Sequence, residues 1–106
     1  MKVFAVSKRN GYDAVGEFDI TTKNLTVKKG SIVSYRISTS PSFRGAVTIQ
    51  EYRDKFVKDN IVSQDVIFKS CSTAANFITG NSSNGFRKWK TEDGSSLKEY
   101  LDKMNY

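Results

Sequence analysis

Alternating polar and apolar residues dominate the first third of the chain. Such alternation, with period two, places successive side chains on opposite faces, as in a strand that has one buried face. Turn residues, among them Asn10 and Gly11, separate the alternating runs. The pattern therefore predicts an antiparallel meander of three or four strands. The predicted strands are residues 2–6, 17–21, 25–27 and 32–37.

The spacing of apolar residues changes to a helical period in the middle of the chain. Thr48 and Glu51 match a capping box, and Val47 and Tyr52 match the hydrophobic staple that accompanies it. We therefore predict a helix that begins at Thr48 and exposes its charged residues to solvent. Its predicted apolar stripe is Ile49, Tyr52 and Phe56.

A second helix is predicted over residues 71–79. Ser70 or Ser72 supplies an N-cap, and Gly80 supplies the C-terminal stop. The hydroxyl-rich start of this helix also offers free backbone N–H groups to a phosphate. Ordinary N-capping is the favoured interpretation.

A last helix is predicted after Ser96, which forms a second capping box with Glu99. A further strand is predicted at residues 63–69. The fold class is therefore α+β, with an antiparallel sheet of about five strands packed with about three helices. We expect one domain over residues 1–106. The predicted buried stripe of the last helix is Leu97, Tyr100, Leu101 and Met104.

The residue inventory excludes most catalytic chemistry. Cys71 is the only cysteine among 106 residues, and histidine is absent. A disulfide within the chain is therefore impossible, and zinc sites and histidine-assisted nucleophiles lack their usual residues. We expect a non-catalytic protein with no cofactor and no metal; a small enzyme that uses Cys71 is the least favoured alternative. No apolar run is long enough for a membrane span or signal peptide, so we expect the cytoplasm and no membrane partner.

Charge gives the first indication of a partner. Lysine and arginine outnumber acidic residues by 17 to 11, which gives a net charge of +6. This charge favours binding to polyanions. A net charge of this size is also ordinary for a soluble domain. Residues 84–90 combine three cations with two aromatic residues, a mixture that suits nucleic acid. Alternatively, Phe86 and Trp89 belong to the core. The sequence also leaves open whether this segment is extended or forms a single helical turn. The candidate nucleic-acid-binding residues are Lys28, Lys29, Arg36, Ser70, Ser72, Asn84, Phe86, Arg87, Lys88, Trp89 and Lys90.

Two segments together resemble a known family. Residues 68–75, with their Ser-x-Ser-x-Ala-Ala pattern, and residues 84–90, with Asn-Gly-aromatic-x-x-Trp, are similar to an uncharacterised bacterial domain family. Its members often sit at the C-terminus of GIY-YIG nucleases and other restriction-linked proteins. The C-terminal part also resembles the restriction-enzyme adenine-methylase-associated (RAMA) domain. The family commonly has proline where this chain has Cys71 and tryptophan where it has Phe86.

The resemblance implies a non-catalytic accessory domain that helps its neighbours to engage DNA. The leading hypothesis is therefore a DNA-associated module in which Arg87, Lys88 and Lys90 meet phosphates. Lys28, Lys29 and Arg36 are possible helpers. The alternative is a protein-interaction or regulatory domain. In that case the basic and aromatic segment serves only as part of the core and of the rim around the interaction surface.

Overall fold

The structure is a computed structural model that describes residues 1–104, and it confirms the α+β class. Four strands form an antiparallel sheet in the order β1-β2-β3-β6, and β4 and β5 form a small second sheet. The strands are β1 (Lys2–Ser7), β2 (Tyr12–Phe18), β3 (Leu25–Val27), β4 (Val57–Lys58), β5 (Ile61–Val62) and β6 (Val66–Phe68). The helices are α1 (Ala46–Phe56), α2 (Cys71–Thr79), α3 (Gly85–Lys88) and α4 (Leu97–Lys103).

The N-terminal meander contains three strands, within the predicted three or four, but its second strand lies earlier in the chain than predicted. β2 ends where the predicted strand at 17–21 begins, because Asp19 closes a turn by accepting bonds from the backbone N–H groups of Thr21 and Thr22. The predicted strand at 32–37 is wrong beyond Ile32, which makes isolated bridges to Asp13 and Ile61. The later strand is confirmed in part, as the three residues of β6.

The segment at 34–38 leaves the sheet because its backbone binds the end of a helix. Ser34 N–H donates to the Ile78 carbonyl at 2.8 Å, and Ser38 N–H donates to the Gly80 carbonyl at 2.7 Å. Gly80 permits this approach: it has φ of +72°, and a Cβ built on it would lie 2.1 Å from the Arg36 carbonyl oxygen. The β-branched run therefore lies against the C-terminus of α2.

The start of α1 was predicted wrongly, although its buried side was predicted well. The helix begins two residues before Thr48, its N-cap is Gly45, and no side chain caps it. Val47 is 71% exposed, so it cannot act as a staple. Ile49 is buried, and Tyr52 and Phe56 pack against the core as predicted.

Both other predicted helices are confirmed with their caps. Ser70 Oγ accepts bonds from the backbone N–H groups of Ser72 and Thr73, and Gly80 ends α2 in the left-handed conformation. Ser96 and Glu99 form the predicted reciprocal capping box of α4. Leu97 and Leu101 are buried, whereas Met104 is 48% exposed and does not extend the stripe.

Candidate nucleic-acid interface

The single turn α3 is fixed against the start of α2 by two hydrogen bonds. The backbone N–H of Gly85 donates to Ser72 Oγ at 3.0 Å, and the indole Nε1–H of Trp89 donates to the Cys71 carbonyl at 3.0 Å. A Cβ built on Gly85 would lie 2.3 Å from the carbonyl carbon of Cys71. Only glycine fits this approach. We call this arrangement of Ser72, Gly85 and Trp89 the α2–α3 clasp.

Trp89 belongs to the core. The side chain is fully buried, with an exposed fraction of 0%, and it begins an extended stretch immediately after α3. Its indole therefore cannot stack on a ligand, and it acts by positioning the backbone on either side. Phe86 is on the surface of the same turn, so the two aromatic residues do not share one environment.

The residues after Trp89 are held as rigidly as the turn before it. Lys90 exchanges two backbone hydrogen bonds of 2.8 Å with Phe4 of β1 and forms a further bridge with Ser96. The backbone N–H of Leu97 donates to the Trp89 carbonyl at 2.9 Å. The basic side chains at 87–90 therefore project from a backbone that is fixed at both ends.

Four of the predicted site residues line one concavity of about 360 Å³, which we call the Arg87 concavity. Val6 and Tyr12 complete its lining. Asn84 also caps α3 by accepting a bond from the Phe86 N–H. No carboxylate within residues 1–104 forms an ion pair with a cation of this concavity. The four predicted residues are Asn84, Arg87, Lys88 and Lys90.

A second concavity, of about 450 Å³, adjoins the first, since Tyr12 and Lys88 line both. We call it the Arg36 concavity. Three cations and no carboxylate are part of its wall. They come from the β1–β2 turn, from the segment beside α2 and from α3. The cations are Arg9, Arg36 and Lys88.

A buried guanidinium lies behind the wall of the Arg36 concavity. Arg53 of α1 is 8% exposed and donates to the Ser34 carbonyl at 2.9 Å and to the Phe77 carbonyl at 2.9 and 3.0 Å. It forms no ion pair with a carboxylate of the described chain. Burial lowers the pKa of Arg53 to about 10, so it remains charged at neutral pH. The prediction that the charges of α1 all face solvent is wrong for this residue.

The remaining predicted site residues lie apart from these concavities. Lys28 forms an ion pair with Asp65 at 2.8 Å, and this contact raises the pKa of Lys28. Asp65 also accepts a bond from the Lys29 backbone N–H. Ser70 and Ser72 are engaged in the cap of α2 and in the clasp. Neither concavity includes these four residues or Phe86.

Sequence reasoning did not identify Arg9, Asn10, Tyr35 or the loop at 81–83, which also line the Arg36 concavity. These residues come from three distant parts of the chain. The available signal was the Lys8-Arg9 pair just before the turn. That pair gives no information about which loops lie beside it.

Cys71 is a protected thiol. Its side chain is buried, and burial raises its pKa to about 11, so the reactive thiolate is scarce at neutral pH. We expect a thiol-specific reagent at pH 8 to label the native protein at least about tenfold more slowly than the urea-unfolded chain. Labelling at equal rates would contradict the burial of this side chain.

A family model described as Domain of unknown function (DUF4357) matches residues 4–101. The chain belongs to the DUF4357 family. The DUF4357 match spans the clasp and every residue of both concavities. Comparison with curated proteins and with solved structures finds no match.

Neither a metal site nor a membrane-spanning helix is found among the described residues of this DUF4357 domain. Within residues 1–104, no group of three or more histidine, cysteine or acidic residues is arranged to hold a metal ion. None of the helices in the same range is long and apolar enough to cross a membrane.

Proposed function

We propose that this chain is a non-catalytic DNA-binding module, an accessory domain of a restriction- or nuclease-linked system in the cytoplasm. The observation that carries the proposal is the pair of adjoining concavities, whose walls contain five cations and no carboxylate. Unpaired cations on one surface neutralise phosphates and release their counterions, which is the main source of affinity for DNA. The cations are Arg9, Arg36, Arg87, Lys88 and Lys90.

The environment of these cations supports the proposal. Lysine and arginine on a solvated face normally alternate with acidic residues, as they do on α1 and α4, where Lys98 pairs with Asp102 at 2.8 Å. The two concavities lack this alternation. The resemblance to domains that accompany GIY-YIG nucleases, and to the RAMA domain, supports a nuclease or methylase as the neighbouring partner.

A protein-interaction domain is the second candidate, because apolar side chains are exposed on the outer face of the sheet. Ile67 of β6 is 65% exposed, and Val6 of β1 is also exposed. Their cross-strand neighbours are Thr26 and Asp13, however, so polar residues interrupt this face. Stable interfaces need a continuous apolar centre. The basic concavities are therefore the better basis for a function.

Reversing two charges of the Arg87 concavity should abolish most DNA binding. We expect Arg87→Glu with Lys88→Glu to weaken binding to a fluorescent duplex by at least about tenfold at low salt. Each phosphate contact contributes about 0.9 to the slope of log affinity against log salt, so the slope should fall by about two. Fluorescence anisotropy at a series of salt concentrations measures both quantities.

The matched control is Lys55→Glu with Lys58→Glu, which changes the net charge equally. Both lysines are exposed, and they lie outside the two concavities. A small loss that is equal for the two double variants would show that only net charge matters. Absence of salt-dependent duplex binding by the unmodified protein would favour the protein-interaction candidate.

A further inference from the structure

We propose that the Arg36 concavity binds one unpaired nucleotide of a DNA strand, with Tyr35 stacking on the base and the cations contacting its phosphates. This inference rests on the proposed function, because it specifies which form of DNA the basic surface takes. Besides the cations, it uses Tyr35 and polar residues of the concavity that play no part in the charge argument above.

Tyr35 is presented to solvent by a rigid segment. Its side chain is 83% exposed, whereas Val33 and Ser34 before it are buried. Ser34 is fixed by its N–H bond to Ile78, and its Oγ lies 2.7 Å from the Thr79 carbonyl. An aromatic ring that is exposed to this extent contributes little to the core and is accessible to a ligand. A tyrosine side chain has only two rotatable bonds to its ring, so it loses little conformational freedom when it stacks on a base.

The rest of the wall suits the other parts of a nucleotide. Arg9, Arg36 and Lys88 supply positive charge. The amide and hydroxyl groups of the β1–β2 turn and of the 81–83 loop can bond to base edges and sugar. A volume of about 450 Å³ is in the range of small-molecule sites. The polar residues are Asn10, Asn81, Ser82 and Ser83.

The loop that supplies these amides and hydroxyls is ordered by its own hydrogen bonds. Ser83 N–H donates to Asn76 Oδ1 at 2.7 Å, and Thr79 Oγ1 lies 3.0 Å from Ser83 Oγ. Asn81 N–H donates to Thr79 Oγ1 at 3.2 Å. The loop is therefore prearranged for binding, which reduces the entropy lost when a ligand is held.

An exposed ring favours a strand that is not paired. In a duplex, both faces of each internal base are covered by neighbouring bases, so Tyr35 has no base to stack on. A single strand or an overhang offers free base faces. Since Lys88 lines both concavities, the strand can continue from the Arg36 concavity into the Arg87 concavity and place its next phosphates there.

The test compares Tyr35→Ala with Tyr35→Phe on three DNA probes. The probes are a single strand, a duplex with an overhang and a blunt duplex, each followed by fluorescence anisotropy at one salt concentration. Tyr35→Ala should weaken binding to the single strand and to the overhang by about 5- to 150-fold. Binding to the blunt duplex should change less than about twofold, and Tyr35→Phe should retain the affinity for all three probes.

A second readout reports stacking directly. A single strand that contains 2-aminopurine should lose fluorescence on binding to the unmodified protein and to Tyr35→Phe, but not to Tyr35→Ala. If Tyr35→Ala binds every probe normally, the nucleotide site is refuted while DNA binding stands. If the unmodified protein binds none of the probes, the proposed function fails as well. Tighter binding to an RNA strand of the same sequence would refute the choice of DNA.

Discussion

Gly85→Ala should destabilise the protein by about 3 kcal/mol or more and lower its melting temperature by about 15 °C. The added Cβ would lie 2.3 Å from the Cys71 carbonyl carbon and 2.4 Å from the Ser72 backbone nitrogen. Backbone cannot rotate away as a flexible side chain can, so α3 must move off α2. That movement breaks the bonds from Gly85 to Ser72 and from Trp89 to Cys71. Thermal unfolding followed by circular dichroism measures the loss.

Gly45→Ala is the matched control. Gly45 has φ of −83°, which alanine adopts freely, and its Cβ would lie 3.4 Å from a ring carbon of Phe43. As the N-cap of α1, it should cost less than about 1 kcal/mol when replaced. Equal stability losses in the two variants would mean that the close approach at Gly85 is not what constrains this position.

Arg53→Met should reduce the free energy of unfolding by about 2–3 kcal/mol. Methionine keeps the apolar stem and removes the cost of burying a charge. It nevertheless leaves the carbonyls of Ser34 and Phe77 buried without their donor, at a cost of about 1–3 kcal/mol each. The unsatisfied carbonyls should outweigh the relief. Urea denaturation monitored by the fluorescence of Trp89 gives the change.

Arg53→Lys separates charge from geometry. It keeps the positive charge, but one ammonium group cannot reproduce the planar fork that bonds several acceptors at once. Its stability should therefore lie between those of the native protein and Arg53→Met. If Arg53→Met is as stable as the native chain, the hydrogen bonds of this guanidinium make no net contribution to the free energy of unfolding.

The sequence predicted elements well where a cap or stop residue marks a boundary. Ser70, Gly80, Ser96 and Glu99 act locally, within a few residues of the backbone groups that they satisfy, so the limits of α2 and the start of α4 were predicted. The capping box predicted at Thr48 does not form. A short motif shows that a cap is possible, but the helix had already begun at Ala46.

Long-range pairing was the part that could not be predicted. The β-branched run at 32–37 has the composition of a strand, but only Ile32 bridges to strands, and the backbone N–H groups of Ser34 and Ser38 bond to the end of α2. The same limitation applied to the candidate site. Arg87, Lys88 and Lys90 are adjacent in sequence and were identified together, whereas Arg9 and Tyr35 join them only through the fold. Charge alone could not distinguish Lys28, which is neutralised by a residue 37 positions away.

The signature that resembles the family has a structural explanation in this chain. Ser70 caps α2, Ser72 and Gly85 meet in the clasp, and Trp89 fills the core. A match to these residues therefore indicates that a chain has this fold, and it does not indicate which ligand the chain binds. Arg87 and Lys88 lie between Gly85 and Trp89, and Lys90 follows Trp89.

The α2–α3 clasp has an evolutionary consequence. It is built from backbone groups, one serine hydroxyl, one glycine and one buried indole, and it uses none of the charged side-chain ends at positions 87, 88 and 90. Mutation can therefore replace those charges while the scaffold is retained. Relatives that share the clasp can diverge in what they bind, and their affinities have to be determined protein by protein.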